Sequence, residues 1–596
     1  MECSGLGPHP PKVPLTVRVG VTGHRDVADD ESLRNAIRKV LNEVSQVAQS
    51  LATGELKEHT AGPPVLRLIS PLAEGADRIV ANVALEAGFE LCSPIPFSID
   101  EYLNDFGAPD SKEEFLRLVA ATARDGVPQV LQLDGDPKER EKAYRSVGRT
   151  MVVQSDLVIA IWDGQSERGE GGTAEVVRAA LSLTLPVVWI HSRDADRIEL
   201  LVGPEDSPQT QDLSQLGGNL SAIFALPKVP VSRTASQTKA AAALSAYFEE
   251  TRPSLSLGGI HDFLYSLVNG NPRRLRLFVE DFHKATKREW SSRIPSSVQD
   301  FVAKGFRLHF SWADNLAGFY AGLSRSSVVG NYLMGVAVVL TAFLGVAHHN
   351  KASSWIEFLL LSAILLLTWW GRRRRWHERW MDYRTLAEAL RLMQFAAPLG
   401  QVPHSFRVPP HVERGDPRSS WANWHFRSVV RHGGMAPATL DRDYLFGCRD
   451  LLLWFARDSQ ARYHWEKAKQ AQRANHWLHK LGQSLFGLAV AGCVAHLIWP
   501  GMHGPTHLVV GIVVVVLPAF GAAIGAIRNY AELEKVSFRS TALESRLRTV
   551  AVDLEARQEV DSTFLAEQFH RIAEILQGEF VDWRYVFLDK NLVLPS

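Results

Sequence analysis

VVGNYLMGVAVVLTAFLGVA, residues 328–347, and WIEFLLLSAILLLTWW, residues 355–370, decide the architecture of this chain. The first run carries no charge and has the roughly 20 residues a helix needs to cross hydrocarbon. The second is shorter, but its tryptophan ends and flanking arginines suit a membrane interface. Arg372-Arg373-Arg374-Arg375 follows at once. At about 2.5–3.5 kcal/mol per arginine at mid-membrane, that run stops translocation and fixes this end of the hairpin on the cytoplasmic side. The pair therefore predicts a membrane hairpin, not a buried hairpin of a soluble protein.

Working outward, LGQSLFGLAVAGCVAHLIWP (481–500) and HLVVGIVVVVLPAFGAAIGAI (507–527) form a second apolar pair. Tyr383-Arg384-Thr385, Ala387 and Arg391 follow the first hairpin, and Phe538-Arg539-Ser540, Ala542 and Arg546 follow the second, in register at an offset of 155. This is an internal repeat. Two hairpins that each return inside put both termini and residues 371–480 in the cytoplasm, with Arg473 and Lys480 guarding the third span. Only two tight loops remain outside, so sensing is expected in the cytoplasm. Four helices have no room for a wet conduit, so a pore would need several copies. Gly521 and Gly525 offer a face for close helix approach, and Pro518 a bend. Glu357 and His496 are ionisable residues within the runs, each near a membrane edge.

A chain of 596 residues suggests three or four domains. Its 65 Lys+Arg and 65 Asp+Glu cancel, so nothing global points to nucleic acid. Four cysteines, at 3, 92, 448 and 493, lack metal or disulfide spacing, and Cys493 reads as a small core residue. The first residues, MECSGLGPHPPKVP, contain no apolar signal region.

The front of the chain alternates short β-branched runs with helical patterns. Strands are expected at 15–23, 65–70, 89–97, 129–133, 157–162 and 186–190, with helices between them. That alternation predicts a parallel sheet covered on both faces, with ligands beyond the carboxyl ends of its strands. Three loops lie there. Gly20 to Arg25 includes Thr22, Gly23, His24 and Arg25, two glycines for backbone approach and two side chains for a phosphate. Ser70 to Asp77 includes Glu74 and Gly75 and runs into a helix whose first amides favour an anion; Asp77 either caps that helix or meets the ligand. Gly171-Gly172-Thr173-Ala174-Glu175 enters another helix, where Glu175 either holds a ribose hydroxyl or offsets the helix dipole. Asp163, just past the fifth strand, faces the same rim. Tyr144 and Arg149 lie on the helix before it, and Phe97 with Asp100, Glu101 and Tyr102 reads as a capped helix start. Periodicity fades over 194–235, which is expected to be a loop-rich insertion.

Ser70-x-Leu72-Ala73-x-Gly75-Ala76-Asp77 resembles the S-G-L-A-x-G-I-D signature of DNA-processing protein A, and Gly171 to Glu175 is similar to the P-G-G-x-G-T-x-x-E signature of LOG phosphoribohydrolases. Both belong to the Rossmann-like SLOG superfamily. The resemblance covers about residues 13 to 195 and implies a pocket for a small nucleotide-derived signal, of cyclic nucleotide or ADP-ribose type. Glu175 lies one residue closer to its threonine than in the hydrolases, a swing of about 100° on a helix, and no proline opens the loop. Binding without turnover is expected; the alternative is a membrane-tethered nucleotide hydrolase. A two-span hairpin followed by an aromatic-Arg-hydroxyl helix resembles the SLATT superfamily of two-transmembrane effectors, here twice, and Asp582-Trp583-Arg584 is also similar to that group. The expected organisation is a Rossmann-like α/β sensor at 13–255, a helical neck at 256–327, a SLATT-like domain at 328–420, a cytoplasmic helical segment at 421–480 and a second SLATT-like domain at 481–596. The resemblances imply a homo-oligomeric, pore-forming effector of antiviral defence in the bacterial inner membrane, without a nucleic-acid partner.

Overall fold

The computed structural model describes residues 7–53, 59–165, 171–227, 235–254, 258–271, 290–348, 351–403, 417–499 and 504–588. β1 (Thr16–Gly23), β2 (Val65–Ile69), β3 (Glu90–Ile95), β4 (Val130–Gln132), β5 (Leu157–Trp162) and β6 (Val187–His191) fall within a residue or two of the expected strands, trimmed most at β3. All are mutually parallel where they pair. Each run is buried because helices cover both faces; Leu33, Ile37, Val40, Leu41 and Val44 form the inner stripe of the helix Glu31–Thr53.

The expected loop-rich insertion over 194–235 is structured across 194–227, and residues 228–234 lie outside the described residues. β7 (Asp194–Val202) and β8 (Gln209–Asp212) form an antiparallel hairpin that extends the sheet past β6. The helix Leu216–Phe224 then packs Leu216, Leu220 and Phe224 into the core, so the glycine pair of LGGN is helical. At the opposite edge β9 (Ala438–Thr439), far along the chain, pairs parallel with β4. The sheet order is β8-β7-β6-β5-β1-β2-β3-β4-β9. The chain runs outward from β1 to β4, then returns to place β5 on the other side of β1. That reversal is the switch point where ligands of open α/β sheets bind.

Behind the sheet the structure is mostly helical, and among the described residues four helices are long and apolar enough to cross a membrane. The first is Leu308–His348, which runs without a break from the expected neck into the first span. The others are Lys351–Arg373, Arg462–Ile498 and Pro505–Ala531. The first span packs on the second and the fourth, and the fourth on the third, giving a row in the order second, first, fourth, third. Gly511 lies against Phe343 at the junction of first and fourth. Gly521, expected to offer a helix-packing face, lies near Gly482 and Leu485 of the third span, within the same hairpin. Cys493, expected in a core, is exposed, because it falls outside the buried stripe of this helix's apolar run, Leu485, Ala489 and Gly492.

The internal repeat reappears as geometry. A π-helical segment, Ala303–Arg307 or Trp454–Ala461, leads into each long helix. The second span of each hairpin ends at a residue in left-handed conformation, Arg375 (φ 54°) or Glu532 (φ 47°). The chain then resumes as a helix outside the apolar runs, Trp376–Ala396 or Leu533–Ala556. The final helix, Ser562–Leu588, brings Arg584 to the first of these, where it donates to Thr385 Oγ1 at 2.7 Å.

No gap separates sheet from bundle. Leu131, Leu133 and Val147 share one buried cluster with Trp312, Leu390 and Phe569. Across this seam the helix Trp421–Gly433 sends Arg431 Nε to Asp156 Oδ1 at 2.7 Å, with Arg18 3.5 Å from the same carboxylate. Burial alone would push Asp156 up, but Arg431 and Arg18 hold it below the ordinary aspartate range. Gln154 donates to the Gly400 carbonyl at 3.0 Å, and Trp424 to that of Phe224 at 2.8 Å. Glu250, just after the helix Ala235–Phe248, accepts from Tyr383 (2.7 Å), Tyr320 (2.8 Å) and Arg379 (2.6 Å).

Candidate functional site

The carboxyl ends of β1 and β5 lie side by side because Gly23 pairs with Ile161. The residues that follow them, His24 and Asp163, therefore meet: His24 Nε2 is 3.1 Å from Asp163 Oδ1 and 3.2 Å from the Asp163 amide. Thr22 is buried within β1. The next loop closes onto this pair. Gly75 (φ 80°) brings its backbone so near that a Cβ would lie 2.1 Å from the Arg25 carbonyl oxygen. The Ala76 amide donates to the His24 carbonyl at 3.1 Å. The amide expected to meet an anion at this helix start thus joins the two loops instead.

Other residues of the second loop hold its shape. Ser70 is fully buried; its hydroxyl accepts from the Leu72 amide at 3.1 Å and donates to the Asp77 carbonyl at 3.3 Å. Leu72 sits at φ 58°, a strained setting for leucine. Glu74 accepts from the Ser111 hydroxyl, within the cluster that Arg78 builds with Ser111 and Glu114. Asp77 is buried under the loop, and burial pushes it up to about 7 despite the Ala73 amide, Arg25 and Arg78. The helix has no side-chain cap, so Asp77 belongs to the interior of the loop.

The third loop reaches the first through Tyr144. Arg25 lies 5.1 Å over the Tyr144 ring, whose hydroxyl donates to Asp105. A Cβ on Gly171 (φ 80°) would lie 3.1 Å from Tyr144 Cβ. Glu175 turns back on its own loop, accepting the Gly171 amide at 2.8 Å, and pairs with Arg145 at 3.0 Å. It stands in the first turn of the helix Thr173–Ser182, the place from which it offsets the dipole, and ties the loop to the helix Arg140–Val153. Gly172 and Thr173 open the helix Thr173–Ser182, while Gly169 and Glu170 lie outside the described residues. Arg149, 69 % exposed, stands 4.0 Å from Glu175. Ser98 caps the short helix Ile99–Tyr102 through the Glu101 amide, as its sequence implied.

Three features at this rim escaped the sequence reading. Arg193, which follows β6, reaches within 4.0 Å of Asp163. Its signal was positional, since it too stands just past a strand's carboxyl end. Trp162 and Trp189 tilt together at 5.3 Å, and Trp189 stacks on His191 at 3.9 Å, forming an aromatic wall. Arg145 gave no signal, because its partner lies thirty positions on. The crevice therefore combines His24, Arg25 and Arg193 as donors with Asp163 as an acceptor, a set able to grip a phosphate and a neighbouring hydroxyl. Among the described residues no group of three or more His, Cys, Asp or Glu could hold a metal ion.

A nucleotide-binding-like α/β domain continued into four helices able to span a bilayer defines a membrane protein with a large soluble part. Residues 310–396, the first hairpin with its flanking helical segments, match a family described as a protein of unknown function (DUF4231). No curated protein and no solved structure matches the chain.

Proposed function

We propose that this protein is a signal-gated membrane effector. A nucleotide-derived signal of cyclic nucleotide or ADP-ribose type binds at the switch-point crevice of a SLOG-like sensor. Two SLATT-like hairpins in the bacterial inner membrane, with both termini cytoplasmic, then open or assemble a membrane-disrupting pore in antiviral defence. The observation that carries this reading is the pairing of the crevice with a continuous buried seam from the sheet to the spans. Ligand contacts fall on the loops after β1, β2, β5 and β6, with His24, Arg25 and Arg193 as donors and Asp163 as acceptor. The Asp156–Arg431 pair ties the sensor to the helix Trp421–Gly433, and the Glu250 cluster ties it through Tyr320 to the helix that continues into the first span. A ligand moving the closed state from 99 % to 1 % must bind the open state better by about 5.5 kcal/mol. The row of spans leaves the second and third with mostly exposed apolar surfaces, which favours assembly of several copies. Engagement of Glu175 with Arg145 and the Gly171 amide weighs against a LOG-type hydrolase.

The deciding experiment places full-length protein in dye-loaded liposomes and adds ADP-ribose and cyclic nucleotides one at a time. Leakage is expected with one of them, and is expected to vanish in His24→Ala and Arg25→Ala. Leakage indifferent to every nucleotide would overturn the gating, while release of free base from the nucleotide, lost in Glu175→Ala, would establish the hydrolase instead.

A further inference from the structure

A second place in the molecule is built to hold a small molecule, away from the crevice. A cavity of about 350 Å³ lies among the cytoplasmic part of the first long helix, the helix Trp376–Ala396 and the segment Trp454–Ala461. That volume falls within the roughly 300–1,000 Å³ of small-molecule pockets. Two π-helical segments occur among the described residues, and both line it: Arg307 comes from the first, Trp454, Ser459 and Gln460 from the second. Wide turns of this kind are rare and gather at functional sites. Because each segment leads into the long helix of one repeat, the cavity sits where the two repeats meet.

Its chemistry is specific. Arg391 lies 3.1 Å from Asp314 and 2.9 Å from Glu388, and Arg384 pairs with the same two carboxylates. The acids hold both guanidinium planes in place, and planar forks fixed in advance suit carboxylate or phosphate. Arg307 adds a third guanidinium, so three cationic side chains stand against the two carboxylates of Asp314 and Glu388. Around them stand Phe310, Trp454 and Tyr463, with Phe395 and Phe455 stacked at 3.8 Å. Flat rings of this kind offer offset stacking to another ring, and Gln394, Ser459 and Gln460 supply amides and a hydroxyl. Asp314 precedes the first apolar run by fourteen residues, about 20 Å along a helix. The occupant therefore comes from the cytosol and is not a lipid headgroup.

We infer that this cavity binds a small cytosolic organic anion bearing a flat ring, at the seam between the two repeats. The inference does not depend on the crevice binding anything. An occupant there touches both halves of the membrane region and favours whichever mutual arrangement keeps the arginines aligned.

The test uses the full-length protein in lipid nanodiscs, carrying Arg25→Ala so that binding at the crevice does not obscure the result. AMP, which joins a ring to an anion, is titrated calorimetrically beside adenosine and inorganic phosphate. AMP is expected to bind saturably below millimolar concentration, with adenosine and phosphate at least tenfold weaker. Ser459→Trp, which fills the cavity and removes no ion pair, is expected to abolish binding, and Arg391→Gln to weaken it at least tenfold. Thermal unfolding of each variant establishes that it is folded. Absence of saturable AMP binding, or its survival in folded Ser459→Trp or Arg391→Gln protein, would overturn the inference.

Discussion

Asp77 keeps its proton in the folded chain up to about pH 7 but loses it near pH 4 once unfolded. Between those limits the native state holds a proton the unfolded state lacks, so this group's contribution to stability falls as pH rises. The slope is at most about 1.4 kcal/mol per pH unit. Asp77→Asn keeps an oxygen for the Ala73 amide and removes the titration. It is expected to melt higher than the parent at pH 8 and to converge with it near pH 4, as scanning fluorimetry across that range will show. Gly75→Ala has the opposite character. A methyl group 2.1 Å from the Arg25 carbonyl, at φ 80°, forces the first two loops apart. A loss of about 1–3 kcal/mol is expected, with faster amide exchange at His24 and Ala76. Asp156→Asn leaves Arg431 and Arg18 facing a neutral group in a buried seam, at a cost of about 3–5 kcal/mol in chemical denaturation.

At the scale of elements, the two repeats make a comparison possible inside one chain. Arg375 and Glu532 occupy left-handed backbone at matching joints, where glycine fits without strain. Glycine at either position is expected to raise the melting temperature or leave it unchanged, whereas proline at either is expected to lower it sharply. The elements also show what the sequence can and cannot display. Runs such as LVIAIW declare themselves because both faces of a parallel strand are buried. DADRIELLV does not, because this next-to-last strand leaves its charged half exposed and its partner follows PEDSP. Ala438–Thr439 is too short to carry any pattern. At the crevice, His24 and Asp163 were legible as strand-end residues, but their contact follows from strand order. The role of Glu175 is set by Arg145, on another helix, which no local spacing encodes.

For the molecule as a whole, the row of spans governs how force or signal can travel. The first span touches both of its neighbours and is continuous with the helix that carries Tyr320, a partner of Glu250. Movement of the α/β domain would therefore reach the spans first through this helix, and then the second hairpin through Phe343 against Gly511. Tyr320→Phe with Tyr383→Phe removes two hydrogen bonds to Glu250, at about 0.5–1.5 kcal/mol each or more, since the acceptor is a carboxylate. That double variant is expected to stay in the membrane fraction and to lose ligand-dependent leakage from liposomes.

The strand Ala438–Thr439 bears on how such a chain can change over evolutionary time. It completes the sheet of one half from within the other, beside the helix whose Arg431 answers Asp156. A recombination event that exchanged only the first 255 residues would import a sheet with a bare edge and a buried acid with no counterion from the bundle. Grafts between descendants of this protein should succeed where the donor also supplies residues 421–440, and colony screens of chimaeras with breakpoints on either side of that stretch would reveal the boundary.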